Sequence, residues 1–521
     1  MVVFAYPSTV IREAEGPLID AGVPLMARAA QALARFCADE IRTARGQVAG
    51  ARVCVLAGPG NNAGDALFAA AALSRRGAKI TVVTLFEGTH IDGLAAAQRA
   101  GADVIAYPAA RSAGDTRGDI LRELTRADLV LDGILGTGGR RGLPPHIASL
   151  IKDWTPRDDS ILIAVDVPSD LSPAEPGADD RLHADHTVTF GGLKAELIDP
   201  RVSRFTGEVH VVDIGLHPAQ SAAAGEVLDS EDLIAEFPRP DAQGYKYSRG
   251  VVGVLAGSEE YPGAGVLTTT SAVNCGIGMV RYLGSPLVAE FVLGLHAEVV
   301  TASGRMNALV MGPGDPEDEF LRDAVDALTD TSIPVVLDAG ALEMVGRADS
   351  VRGTWLAKRP VVLTPHAGEL ARLLSRILGE IITSSRITAD PIGWAKRAAK
   401  LSGCIVLLKG HQTVIACPDG FCVLPEAGPA SLATAGSGDV LAGIIGAMLA
   451  VFHATRQQAS VESQQTSPEA PLPDRDWAHI VGLAVLIHNA AGYRAVNAGT
   501  LVDAVVEVAG DLIHSRSLGG G

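Results

Sequence analysis

The chain has 521 residues, 47% of them hydrophobic, with 58 glycines and 4% aromatics, a composition suited to Ala/Val/Leu-rich α/β layers in two large domains or about three or four smaller ones. Its formal net charge of −17 repels nucleic acid and acidic bilayer surfaces, so any phosphate-bearing ligand has to be held by local structure. The cysteines, Cys37, Cys54, Cys275, Cys404, Cys417 and Cys422, form no C-x-x-C pair and read as buried reduced thiols of a cytoplasmic protein, not as a zinc or redox centre.

The opening MVVFAYPSTVIREAE lacks a basic start and a long apolar run, so no signal peptide is expected. The first strong strand is ARVCVLAG (51–58), followed by GPGNNAGDAL (58–67) and a helical FAAAALSRRG. Strand-like KITVVTLF, LVLDGILG, ILIAVDVPS and HTVTFGG follow at intervals. Apolar runs without alternation, interleaved with helices, predict a Rossmann-like parallel sheet buried on both faces. Three of its strand ends carry polar side chains: Asn61, Asn62 and Asp65; Asp132; and Asp166 with Ser169. The glycine spacing is not G-x-G-x-x-G with a late acid, which argues against ordinary hydride transfer. Asn62, Asp132 and Ser169 could offer oxygens to a hard monovalent cation, leaving Asp166 for proton transfer. Taken singly, each is equally an ordinary turn cap.

Residues 215–244 mix Ala-rich, acidic and Pro-rich patches and read as the connection to a second domain. Beyond it, RPVVLTPHAGELARLL (359–374) is a strand ending in Thr364-Pro365-His366 before a helix, and IVLLKGHQTVIACPDG (405–420) is a strand followed by Lys409-Gly410. The most informative stretch is TAGSGDVLAG (434–443), where Gly436-Ser437-Gly438 runs into an apolar helix. Unpaired backbone N–H groups and the helix dipole at such a turn favour an anion. Asp439 stands where a carboxylate could take a proton from a substrate hydroxyl, a pairing that points to phosphoryl transfer to an alcohol. The apolar run Val440 to Phe452 is too short for a membrane span and reads as a core helix, and 454–476 reads as a surface loop.

With these residues in view, roughly 225–500 resembles the ADP/ATP-dependent NAD(P)H-hydrate dehydratases, a branch of the ribokinase-like superfamily. The matching segments occur in family order: YKYSRGVVGVLAGSEEYPGAGVL (245–267), VMGPG (310–314), PVVLDAGAL (334–342), LTPHAGE, LLKGHQTVIA and LATAGSGDVLAG. Gly340 replaces the family's usual second Asp after Asp338. Residues 8–215, through AEGPLIDAGVPLMARAA (14–30), the three strand ends and TVTFGGLK (187–194), resemble the NAD(P)H-hydrate epimerase domain. There the usual NNGGDG is NNAGDA, with Ala63 and Ala66, and the usual PSG is PSD, with Asp170. The resemblance thus implies an epimerase-like domain over 1–218 and a ribokinase-like α/β domain over 219–521.

The same resemblance assigns roles. In the first half Asn61, Asn62, Ala63, Gly64 and Asp65, with Gly136, Thr137, Gly138, Gly139, Arg140, Arg141 and Gly142, line the hydrated nucleotide. Asn62, Asp132 and Ser169 hold potassium, and Asp166 is catalytic. In the second half Asp439 is the base, Gly436, Ser437 and Gly438 form the anion hole, and Lys409, Gly410, His411, Gln412 and Thr413 hold the phosphates of ADP, with magnesium. Ala264, Gly314 and His366 contact the substrate; His366 alone is equally a strand-end cap. The implied activity is repair of hydrated NADH and NADPH: R and S hydrates are interconverted, and the S form is dehydrated at the expense of ADP, giving AMP and phosphate. A cytoplasmic homo-oligomer without nucleic-acid or membrane partners is expected. The competing reading is a small-molecule kinase on the same fold, fused to a catalytically silent binding module. KYSRG and LTPHAGE stand against the kinase, while NNAGDA and PSD favour a silent first half.

Overall fold

Unalternated apolar runs become strands buried on both faces in each of two α/β units, Phe4–Ala224 and the chain from Gly225 onward. The computed structural model describes residues 3–107, 114–137, 142–169, 182–314, 333–345, 359–462 and 473–514. All six cysteines are free and buried, and burial pushes the thiol pKa up at Cys37, Cys54, Cys275, Cys417 and Cys422.

In the first unit the strands are β1 (Val3–Tyr6), β2 (Arg52–Ala57), β3 (Lys79–Thr84), β4 (Asp103–Ala106), β5 (Leu129–Gly133), β6 (Ile161–Val165), β7 (His186–Phe190), β8 (Leu193–Lys194) and β9 (Glu208–Val212). Seven of them form a parallel sheet in the order β4-β3-β2-β5-β6-β7-β9, while β1 pairs with β8. The chain winds outward from β2 to β4, then returns to the other side of β2 with β5. This reversal makes a crevice at the carboxyl ends of β2 and β5, where open α/β sheets take ligands. Close approach of the two loops there requires glycine, because a Cβ at Gly58 would lie 1.7 Å from the Ile134 carbonyl oxygen. The helix after β2 spans Asn61–Ser74, so Asp65 lies one turn inside it.

The second unit contains β10 (Gly225–Leu228), β11 (Val251–Leu255), β12 (Met279–Tyr282), β13 (Ala308–Met311), β14 (Val335–Leu337), β15 (Val361–Leu363), β16 (Ile405–Leu408), β17 (Val414–Ala416) and β18 (Cys422–Pro425). Their order is β12-β11-β13-β14-β15-β16-β17-β18-β10, with β17 antiparallel to both its neighbours. Helix Ser437–Glu462 packs along β11, β13 and β14 and against helix Pro262–Asn274. Two glycines allow that contact: a Cβ at Gly443 would sit 2.1 Å from Ser271 Oγ, and one at Gly446 would sit 2.2 Å from a Val310 methyl.

Three readings of the sequence are corrected. Residues 215–244 are not only connection: β10 pairs in parallel with β18, and helix Ser230–Glu236 opens on a capping box made by Asp229 and Asp232. The partner of β10 is nearly two hundred residues away, so no local pattern reveals it. The apolar run at 440–452 belongs to a longer helix, whose Ser437–Ala459 stretch meets the length and apolarity of a membrane span; 67% of that apolar window is buried within the domain. The loop read at 454–476 is helical to Glu462, and a new helix begins at Asp474; 463–472 lies outside the described residues.

Helix Asp474–Gly492 is tied to its neighbours by His479, whose Nδ1 lies 2.9 Å from buried Glu226 on β10 and whose Nε2 lies 2.8 Å from Glu236. Burial opposes its protonation, but the two carboxylates outweigh this and raise its pKa from 6.5 to about 9. The folded state therefore binds this proton more tightly than the unfolded chain. Its stabilising contribution is complete below pH 6.5 and is lost as pH rises through about 9. The stability gap between wild type and His479→Gln in urea melts should be about 2 kcal/mol near pH 7 and shrink by pH 10. A gap independent of pH would contradict the ion-pair account.

Candidate functional site

In the second unit the carboxyl ends of neighbouring parallel strands bring Asp338, Thr364 and Lys409 together. Asp338 follows β14 and is buried; its Oδ1 accepts from Thr364 Oγ1 and from Lys409 Nζ, both at 2.8 Å. Glu369 lies 3.9 Å from the same ammonium. Burial works against the charge on Lys409, yet Asp338 and Glu369 hold its pKa above the ordinary lysine value. This cation reaches the glycine turn, since a Cβ at Gly438 would lie 3.3 Å from Lys409 Nζ. Gly436 adopts φ +87°, a left-handed conformation that glycine takes freely, and helix Ser437–Glu462 starts at the next residue. Asp439 is thus in the first turn, half-buried. Desolvation and then the Asp338 charge, opposed by Lys409, raise its pKa from 3.8 to about 6. At neutral pH such a carboxylate is a stronger base than an ordinary aspartate and still largely deprotonated.

His488, from helix Asp474–Gly492, buttresses the turn. Its Nε2 lies 3.1 Å from the Ser437 carbonyl oxygen and from Ser437 Oγ; a carbonyl can only accept, so Nε2 carries the hydrogen. Burial lowers its pKa to about 4 and keeps it neutral. A cavity of ≈ 640 Å³ opens over this turn, with Lys409, Gly410, His411, Thr413, Ser437 and Gly438 in its wall. His366 also lines it, but 55% of its side chain is exposed, and it caps helix Ala367–Leu378 by accepting from the Gly368 N–H at 3.0 Å. Gln412 instead donates to the Pro425 carbonyl at 2.8 Å. Ala264 and Gly314 do not line this cavity; they meet each other, and a Cβ on Gly314 would lie 2.5 Å from that of Ala264. Helix Pro262–Asn274 joins Ala264 to the turn, because Thr268 Oγ1 donates to the Asp439 carbonyl at 3.1 Å.

The first unit gathers its three polar strand ends at the β2/β5 crevice and beside it at β6. Asp132 is buried and accepts from Ile134 N–H and from both the N–H and the hydroxyl of Ser169. Burial pushes its pKa up against those hydrogen bonds. The Ser169 hydroxyl accepts from Leu135 N–H at 2.9 Å, and Asn62 Nδ2 donates to the Leu135 carbonyl at 3.1 Å. Asn62 Oδ1 is buried with no partner among the described residues. Gly136 packs against Asn62, where a Cβ would come within 3.2 Å of the asparagine Cβ.

Asp166 holds φ +66°, a strained conformation for a residue with a Cβ, and its Oδ1 pairs with buried Lys194 Nζ at 2.6 Å. Lys194 also donates to Thr189 Oγ1 and the Phe190 carbonyl, each at 2.9 Å. Asp65 is part-buried nearby, its Oδ1 buried with no partner among the described residues; desolvation, then the Asp166 and Glu15 charges, raise its pKa well above the usual range. Glu15 is likewise pushed up, by burial first. Of the predicted lining residues, Gly138, Gly139, Arg140 and Arg141 lie outside the described residues, as does Asp170. The sequence reading named the strand-end Thr364 and Asp338 but gave no role to them or to Glu369 in one unit, nor to Lys194 and Glu15 in the other, and it missed His488 altogether. The signal for Asp338 was its place at a strand end; His488 carried none, being mid-helix.

An ammonium beside a glycine turn at a helix N-terminus, with a half-buried carboxylate in the first helical turn, is the kind of arrangement that phosphoryl transfer uses. A crevice of strand-end carboxyls and amides makes a second candidate site. Residues 252–476 match the family model described as NAD(P)H-hydrate dehydratase, and residues 23–195 match that of the YjeF-related protein N-terminus. The chain is 40% identical over 457 residues to the bifunctional NAD(P)H-hydrate repair enzyme Nnr of Mycobacterium tuberculosis, covering 85% of this chain and 89% of that protein. It is 42% identical over 247 residues to the NAD(P)H-hydrate epimerase of Microbacterium testaceum, covering 46% of this chain and 88% of that one. Among solved structures, the ADP/ATP-dependent NAD(P)H-hydrate dehydratase from Bacillus subtilis, co-crystallised with ATP/Mg2+, is similar at 29% identity and a TM-score of 0.37, covering 49% of this chain and 95% of that one. The chain belongs to the family of bifunctional NAD(P)H-hydrate repair enzymes.

Proposed function

We propose that the second unit dehydrates the S hydrate of NADH or NADPH with ADP as phosphoryl donor, and that the first unit converts the R hydrate to the S form. The observation that carries this reading is the joining of Lys409, the Gly436–Gly438 turn and Asp439 at one helix N-terminus. Asp439 takes the proton of the ring hydroxyl as that oxygen attacks the terminal phosphorus of ADP, and AMP leaves. Loss of phosphate from its ring carbon, and of a proton from the neighbouring ring carbon to solvent, then restores the ring double bond. Turn N–H groups and the helix dipole stabilise charge on the transferring group, while Lys409, Gly410, His411 and Thr413 face the phosphates. Magnesium arrives with the nucleotide as part of the substrate.

For epimerisation, Asp166 is the proton-transfer group, and Asp65, whose raised pKa favours the protonated acid, returns a proton. Potassium fits beside them, because unpartnered Asn62 Oδ1, with Asp132 and Ser169, offers oxygen donors and little spare negative charge. It would pin the three strand-end loops. The enzyme is expected to work as a cytoplasmic homo-oligomer. The test is to incubate the purified chain with mixed hydrate epimers and ADP and to follow the absorbance of reduced nicotinamide. Complete recovery in one continuous phase supports both activities; no recovery with either ADP or ATP would overturn the dehydratase reading.

A further inference from the structure

Away from the crevice of the first unit, the β7/β9 pair carries a cluster that the repair chemistry does not use. In their parallel register His186 stands opposite Glu208, and His210 is two residues beyond on the same face. His186 Nδ1 and His210 Nε2 lie 3.1 Å apart, and Glu208 Oε2 lies 3.8 Å from each. Zinc-class cations in tetrahedral coordination, with bonds of about 2.0–2.1 Å, set neighbouring ligand atoms about 3.3–3.4 Å apart. The three atoms already form nearly that triangle. Two imidazole nitrogens face one another across it, so without a cation at most one can bear a hydrogen between them.

The surroundings are those of a ligand set. Glu40, on helix Leu25–Arg45, places Oε2 3.6 Å from His186 Nε2, the ring nitrogen turned away from the triangle. A carboxylate there favours the hydrogen on Nε2 and leaves the Nδ1 lone pair facing inward. Phe36, from the same helix, packs on both rings, with centroids 5.4 Å and 4.4 Å away, and restricts their rotation. Glu208 is 70% exposed on the edge strand β9, which leaves a route for the ion and a fourth position for water.

We propose that His186, His210 and Glu208 form a binding site for a zinc-class divalent cation, with Glu40 as the positioning residue and water as the fourth ligand. The cation clamps edge strand β9 to β7 and is separate from the potassium and nucleotide sites. The full chain, stripped with a chelator, is titrated calorimetrically with zinc and then with cobalt. One equivalent per chain is expected, raising Tm by several degrees, and cobalt should give the intense visible bands of a tetrahedral complex. His186→Gln/His210→Gln should abolish the stoichiometric uptake. Should that double variant fail to fold, Glu208→Ala alters only an exposed side chain and should weaken zinc at least tenfold, and Glu40→Gln should weaken it about tenfold with every ligand atom retained. Absence of stoichiometric uptake by wild type, or equal affinity in wild type and Glu208→Ala, would overturn the proposal.

Discussion

Asp439→Asn should slow ADP-dependent recovery of reduced nicotinamide by about two to four decades, because the amide keeps the shape of the carboxylate but accepts no proton from the ring hydroxyl. Folding should not suffer. The folded state raises this carboxyl from 3.8 to about 6, so its stabilising contribution is present below pH 3.8 and lost as pH rises through about 6. At pH 7 the half-buried charge opposes folding, and the neutral variant should melt no lower than wild type. The same pKa sets the acid limb of the wild-type rate: activity falls as pH drops through about 6 and the base is protonated. Asp338→Asn should move that limb to lower pH, since it removes a like charge and frees Lys409 to face Asp439. Wild-type rates in Asp439→Asn would refute the assignment of the base.

Asp166→Asn should split the repair of mixed epimers into two phases. The dehydratase, in a separate unit, consumes its own epimer at normal speed, and recovery then stalls near the initial S fraction, with a slow tail at the spontaneous rate of interconversion. Asparagine is the informative replacement. It tolerates the left-handed backbone at this position, φ +66°, better than alanine does, so that loss of proton transfer is not confused with backbone strain. Lys194 keeps Thr189 Oγ1 and the Phe190 carbonyl as acceptors. A two-phase curve from wild type would mean that the first unit is silent, and Ala63, Ala66 and Asp170 would be the residues to revert to glycine. One uninterrupted phase from the variant would remove Asp166 from the mechanism.

What the sequence determined by itself was local. A strand, a glycine turn and a helix start are consecutive in the chain, so the turn at Gly436–Gly438, the Asp439 carboxyl in the first helical turn and the polar strand ends at Asn62, Asp132 and Ser169 could be read before any contact was known. Buried strands of a parallel sheet need apolar residues on both faces, and this made the α/β class equally legible. Partners distant along the chain were not legible. Strand order alone sets β5 beside β2 and so brings Asp132 to Asn62, and it alone sets β16 near β14 and so gives Lys409 the Asp338 carboxylate. The same holds for Lys194 with Asp166, for β10 with β18, and for the three zinc-class ligands on β7 and β9. Basicity, too, belongs to the tertiary structure: Asp439 at about 6, His479 at about 9 and His488 at about 4 differ because burial withdraws solvent and packing selects which charges remain near each group, and neither is encoded in the residue itself.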